Sequence, residues 1–321
     1  MAKPWEIVDL NPDDPLKISL RRTLLGWMQE MLSYEPETIK GTDPEALHNM
    51  RVSARRLRAT LKIHRDLFPK KQLRHQLEEI EKLITVFGPV REIDVFLEEL
   101  EKLITEIPTQ EKGALQWLVA QERTIRELHR KIMKAEIRQL MRTGFKHRFE
   151  EFIWGSLHKK GTSSEKRTTL RSNGREILPP ILDSFLDRIY LVILNEHHQE
   201  PLHALRLRGK RVRYAMEIYA PAYHEPFADC LASVKEILGI LGRIHDIDIN
   251  LPILRQHVRQ VRHFNAGMND RSLKISTAGI RVLIQRFEKE RHDFFLSLCK
   301  RFSQWENEQF RQRYIQSISA T

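Results

Sequence analysis

The chain has 321 residues, 41% of them hydrophobic and 30% charged, with a formal net charge of +11. That length suits two domains of ordinary size, and the hydrophobic share is enough to bury real cores, so a disordered chain is excluded. The basic excess fits a phosphate-rich partner or an anionic membrane surface and is silent about fold. Cys230 and Cys299 lie far apart, form no zinc-type CxxC spacing and read as core thiols of a reducing compartment. The opening Met-Ala-Lys-Pro-Trp-Glu lacks the apolar core of a signal peptide, and no apolar run approaches the ~18 residues of a membrane span. The expectation is a soluble, cytoplasmic protein with no membrane partner.

In chain order the elements are helical throughout, because alternating β-branched runs bounded by Asn-Gly or Asp-Gly turns are missing. A first amphipathic helix is predicted from about Pro15 to Tyr34, with Leu16, Leu20, Leu24, Met28 and Met31 on one face. Asp43-Pro44 starts a second, with an N-cap followed by proline at N1, which stops near Phe68-Pro69. The next is expected to end at Phe87, where Gly88-Pro89 breaks it, and another to run from Val90 to Thr105. A long helix over about Lys112–Met141 ends near Gly144, and a short one covers Phe145–Trp154. Gly155 to Gly174, rich in Gly, Ser and Thr with Lys159, Lys160, Lys166, Arg167 and Arg171, reads as an exposed basic linker or a polyanion-wrapping arm. Further helices are expected near Arg175–Glu196, Glu200–Tyr219, Glu225–Leu241, Ile244–His263 and Leu273–Phe302, followed by a short tail helix.

The order repeats, and so do residues. Leu47-His48-Asn49-Met50-Arg51-Val52-Ser53-Ala54-Arg55-Arg56-Leu57-Arg58 aligns with Leu202-His203-Ala204-Leu205-Arg206-Leu207-Arg208-Gly209-Lys210-Arg211-Val212-Arg213. Phe87-Gly88-Pro89-Val90-Arg91-Glu92-Ile93-Asp94-Val95 aligns with Leu241-Gly242-Arg243-Ile244-His245-Asp246-Ile247-Asp248-Ile249. Two blocks in one order at nearly one spacing indicate internal duplication. The organisation expected is therefore all-α: an N-terminal bundle over 1–155, a linker over 156–174 and a homologous C-terminal bundle over 175–321. Both bundles are antiparallel and face each other about a pseudo-two-fold.

At 100° per residue, His48, Arg51, Arg55, Arg58 and Lys62 share an arc of about 80°, beside a second arc of Leu47, Met50, Ala54, Leu57 and Leu61. In the second copy His203, Arg206, Lys210 and Arg213 run beside Leu202, Leu205, Gly209, Val212 and Met216. Glu217 stands where the first copy has Lys62 and is expected to weaken anion binding at that end. From His48 to Arg65 there is no acid at all, so the face repels itself instead of forming i,i+4 pairs. Like charges beside a packed seam indicate an anionic ligand.

These motifs resemble the CHAD family, the conserved histidine α-helical domain. The resemblance rests on the His-x-x-Arg-x-x-x-Arg-Arg-x-Arg pattern at His48–Arg58 and on Leu202–Tyr214. It rests also on Gly88-Pro-Val-Arg-Glu-Ile-Asp94 and Gly242-Arg-Ile-His-Asp-Ile-Asp248, and it covers the chain to about Phe302. It departs from the family at Glu92 and His245. The resemblance implies two helical bundles around a basic groove, non-enzymatic binding of inorganic polyphosphate, location at polyphosphate granules, and polyphosphate-metabolising enzymes as partners. The residues expected to bind the polymer are His48, Arg51, Arg55, Arg56, Arg58, Lys62, Arg91, His203, Arg206, Lys210, Arg211 and Arg213. Asp94 and Asp248 are expected to orient arginines.

Polyphosphate is a flexible line of anions with no bases to read, and one cation per helical turn can follow it. Arginine's fork pairs with two phosphate oxygens at once. One histidine per bundle, followed by bases at +3 and +7, is a poor metal site, so no metal or other cofactor is expected. No P-loop, nucleophile elbow or His-Glu-x-x-His pair occurs. Two other readings stand beside the first: a general polyanion or nucleic-acid binder, disfavoured because aromatic residues do not interleave with the bases, and a phosphohydrolase using Asp94 and Asp248.

Overall fold

The computed structural model describes residues 5–7, 10–158, 168–270 and 273–319. Among these residues the protein is all-α and contains no strand. Its one isolated β-bridge joins Pro15 to Thr169. The helices are α1 (Leu16–Ser33), α2 (Glu35–Lys40), α3 (Pro44–Ile63), α4 (Lys70–Glu106), α5 (Gly113–Arg142), α6 (Phe145–Leu157), α7 (Leu170–Leu186), α8 (Ile189–Ile193), α9 (Gln199–Tyr219), α10 (Glu225–Ala266), α11 (Ala278–Asn307) and α12 (Phe310–Ser319).

Local chemistry explains several boundaries. Asp43 caps α3 by accepting a hydrogen bond from the Glu45 amide at 2.8 Å, with Pro44 at the first helical position. Gly144, at φ 71°, turns the chain from α5 into α6, a conformation costly for any residue with a Cβ.

Three sequence expectations fail here. Gly88-Pro89 does not break a helix: α4 runs unbroken through Pro89 to Glu106. The proline costs ~3 kcal/mol of helix stability, but Leu83, Phe87 and Val90 are all essentially inaccessible, and packing of that face outweighs the local penalty. In the same way α10 runs through Gly242 and Pro252, held by buried Leu241, Ile244 and Ile247. The expected linker is also much shorter. α6 continues to Leu157, and a capping box between Thr169 and Ser172 starts α7 at Leu170, so that Arg171, Ser172, Asn173 and Gly174 are helical. The lysines and Arg167 expected in the linker lie outside the described residues. Finally, the helix expected over Arg175–Glu196 is two, α7 and the short α8, and α11 is displaced toward the C-terminus to Ala278–Asn307.

The hydrophobic core does not divide where the sequence repeat divides. One cluster joins α1, α3, α6, α7, α9 and α12 to the first half of α4, the second half of α5, the first half of α10 and the second half of α11. The other is built from Phe96–Leu103 of α4, Ala114–Val119 of α5, Ile247–Val261 of α10 and Ile280–Phe287 of α11. Each cluster thus draws on both halves of the chain. Polar contacts tie the halves as well. Arg243 of α10 reaches Glu99 of α4 and Glu290 of α11, and His257 bonds the Ala114 carbonyl at 3.1 Å.

Candidate anion-binding site

The site is carried by α3 and α9, which pack on each other at the centre of the larger cluster. Their apolar stripes go inward: Leu47, Met50, Ala54, Leu57 and Leu61 are 4% exposed or less, and Leu202, Leu205, Val212 and Met216 are similarly buried. Burying that seam fixes the rotation of each helix about its axis, and the neighbouring basic stripes are thereby aimed at one another.

They meet in two adjoining cavities. The narrower, of ≈ 350 Å³, is lined by His48, Arg51 and Arg55 of α3, Arg91 and Glu92 of α4, His203, Arg206 and Lys210 of α9, and His245 and Asp246 of α10. The wider, of ≈ 730 Å³, is lined by Arg55, Arg58, Lys62, Arg65, Lys210 and Arg211, and has an apolar wall. Arg55, Leu207 and Lys210 belong to both, so the two spaces form one passage. Nine lysines and arginines line it against two carboxylates, Glu92 and Asp246, which leaves the passage strongly positive.

The carboxylates sit at aligned positions of the two sequence blocks and serve aligned arginines. Arg51 lies 3.7 Å from Glu92, and Asp246 acts electrostatically on Arg206. Arg91 is 3.2 Å from Glu45, and Lys62 is 2.6 Å from Glu81. Among the described residues, Arg55, Arg206, Lys210 and Arg211 form no ion pair, and the buried Nε atoms of Arg51 and Arg206 find no hydrogen-bond partner.

The charges strain one another. Burial, then Arg206, Arg55 and Arg51, pushes the Lys210 ammonium down to about 6. Burial and then Arg55 lower Arg51 to about 10. His48 falls to about 4 through burial and then Arg91, and His245 to about 4 through burial and then Arg206. His203 is lowered by burial and by Arg206, and its Nδ1 lies 3.2 Å from Nδ1 of His245. An anion entering this passage favours the protonated form of each group. The complex therefore holds more protons than the free protein. Affinity for a polyanion should rise as pH falls from 9 to 6, as Lys210 regains its proton, and rise further toward 5 as the histidines follow. Calorimetry in buffers of different ionisation enthalpy should show net proton uptake at pH 7.5, and a pH-independent affinity would contradict this electrostatic picture.

Two expected site residues are not in the passage. Arg56 is fully buried, its guanidinium 3.1 Å from Glu217 and 3.4 Å from Glu30. Arg213 is also buried, 3.0 Å from Glu217, and Lys235 approaches the same carboxylate at 3.7 Å. Burial raises the Glu30 carboxyl more than Arg56 lowers it. Glu217 therefore does not interrupt a stripe. It faces inward and ties α9 to α3, and Arg56 and Arg213 pair with it in the protein interior, away from the passage. A second buried contact joins the same helices. His64, lowered to about 4 by burial, has Nδ1 3.0 Å from the Thr60 carbonyl and Nε2 2.8 Å from the Tyr219 hydroxyl, which also bonds the Asn173 side chain.

Asp94 and Asp248 hold arginines, but not those of the stripes. Asp94 pairs with Arg126 of α5, and Asp248 lies 2.6 Å from Arg291 of α11. Sequence reasoning missed Arg65, Leu207 and Tyr214 as lining residues, and it treated His245 only as a departure from a pattern. Arg65 continues the periodicity of the first stripe at +3 from Lys62 and could have been found that way.

An all-α scaffold that presses two arginine-rich helices together around a shared cationic passage defines the class of protein. The chain belongs to the CHAD domain family, whose model matches residues 23–255. Its fold is similar to the crystal structure of the CHAD domain from the plant Ricinus communis, with a TM-score of 0.65 and 20% identity over 94% of this chain and 96% of that one. It is also similar to PptA from Streptomyces chartreusis, with a TM-score of 0.63 and 16% identity over 90% of this chain and all of that one. No curated protein matches the chain. No group of three or more His, Cys, Asp or Glu side chains is placed to hold a metal ion among the described residues, and no described helix is long and apolar enough to cross a membrane.

Proposed function

We propose that this protein binds inorganic polyphosphate, without chemical conversion, in a groove between α3 and α9. The observation that carries this reading is the set Arg55, Arg206, Lys210 and Arg211, brought to one passage from both helices with no carboxylate at ion-pair distance among the described residues. His48, Arg51, Arg58, Lys62, Arg91 and His203 complete the phosphate-facing set, with the two stripes related by a pseudo-two-fold. Such a cluster costs self-repulsion in the free protein that a polyanion relieves on binding. Engagement of Asp94 by Arg126 and of Asp248 by Arg291, away from the passage, argues against a phosphohydrolase built on those carboxylates. The role that follows is attachment to polyphosphate granules or modulation of enzymes that make or degrade the polymer.

Competition binding tests the reading. Long-chain polyphosphate should displace single-stranded DNA from the protein far better than the reverse, and the logarithm of its affinity should fall steeply and linearly with the logarithm of salt concentration. Equal displacement in both directions would favour a general polyanion binder.

A further inference from the structure

The wider end of the passage is not purely cationic. Ile63 of α3, Leu73, Leu77 and Ile84 of α4, and Leu207 and Tyr214 of α9 form its wall. Leu77 with Ile84, and Leu207 with Tyr214, are each seven residues apart, so each pair forms a ridge along one face of its helix. Leu207 is 52% exposed, although it sits between Arg206 and Arg208 in one of the most basic stretches of the chain. A row of phosphates has no apolar surface. Laid over this wall its phosphate oxygens would lose water without meeting a donor or a cation. The narrower end, by contrast, is lined mainly by cations, histidines and the two carboxylates.

This asymmetry matches a ligand with a flat, partly apolar head and a polyanionic tail. The space of ≈ 730 Å³ lies within the range of small-molecule sites, and Arg55, Arg58, Lys62, Arg65, Lys210 and Arg211 ring it with positive charge. We infer that the groove also takes nucleoside polyphosphates. The nucleobase lies against the ridges of the wider mouth, and the phosphate tail runs past Arg55 and Lys210 toward Arg51 and Arg206. The inference rests on the reading of the groove as a phosphate site and adds a second ligand class and a direction of entry.

The test is calorimetric titration of the full chain with ATP, inorganic tripolyphosphate and long-chain polyphosphate, magnesium-free and at one ionic strength. ATP should bind about tenfold more tightly than tripolyphosphate, which carries at least as much charge, because the base buries apolar area. Leu207→Gln changes an exposed side chain and should bring the ratio of the two affinities close to one. Tripolyphosphate binding as tightly as ATP, or a ratio unchanged in Leu207→Gln, would overturn the inference. If long-chain polyphosphate binds while ATP gains nothing over tripolyphosphate, this inference falls and the polyphosphate reading stands. If none of the three binds, both fall.

Discussion

Reversing the charge of Arg55 and Lys210 together should lower the affinity for long-chain polyphosphate by about a hundredfold or more. Each charge-assisted phosphate contact contributes about 1.5–3 kcal/mol, and both side chains line both cavities, so no path through the passage avoids them. The proper comparison is Arg259→Glu with Arg262→Glu, exposed on the distal half of α10, which removes the same net charge away from the passage. Fluorescence anisotropy with labelled polymer would measure both. Comparable losses in the two double variants would mean that the polymer is held by diffuse attraction, and the groove would have no special standing.

The second large effect concerns stability. Glu217→Gln should destabilise the fold by about 3–5 kcal/mol, because it withdraws the carboxylate that Arg56 and Arg213 share in a buried ion cluster and leaves that cluster short of negative charge. Lys62→Gln, exposed and in the last turn of α3, should change stability by no more than about 0.5 kcal/mol. Chemical denaturation of the two variants beside the parent protein checks this. A loss below about 1 kcal/mol for Glu217→Gln would show that water or neighbouring groups compensate the buried cations, and the ion cluster would not be a structural tie.

The contrast between these two residue sets shows where the sequence was informative. A single helical period separated the buried stripe of α3 from the cationic one, and the five apolar residues assigned inward are all buried. Arg56 lies on the far side of the same helical projection from that apolar stripe, so a one-faced helix would leave it in solvent. α3 is buried on two faces, however, and Ser53, Arg56 and Thr60, spaced i, i+3, i+7, form the second, polar one. Glu30 of α1 and Glu217 of α9 meet Arg56 there, 26 and 161 residues away in sequence. No local pattern encodes such partners. The errors at Gly88-Pro89 and Gly242 have the opposite origin. A strong local signal was overruled by burial of Phe87, Val90, Leu241 and Ile244. The repeat paired Arg51 with Arg206 and Arg55 with Lys210, which share the passage, but it also paired Arg56 with Arg211 and Arg58 with Arg213, of which Arg56 and Arg213 are buried. The apolar wall of the wider mouth includes Leu73, Leu77 and Ile84 of α4, which only tertiary packing brings beneath the stripe.

The sharing of both cores between the chain halves has a consequence during synthesis. Phe96–Leu103 and Ala114–Val119 bury themselves against Ile247–Val261 and Ile280–Phe287, segments made well over a hundred residues later. At the usual elongation rates of 5–20 residues per second, the first half waits about 10–30 s on the ribosome with that surface unmatched. It cannot finish folding vectorially, domain by domain. The nascent chain carries its exposed leucines together with the unshielded cations of α3, which makes this interval the one in which chaperones or a passing polyanion have most influence on yield.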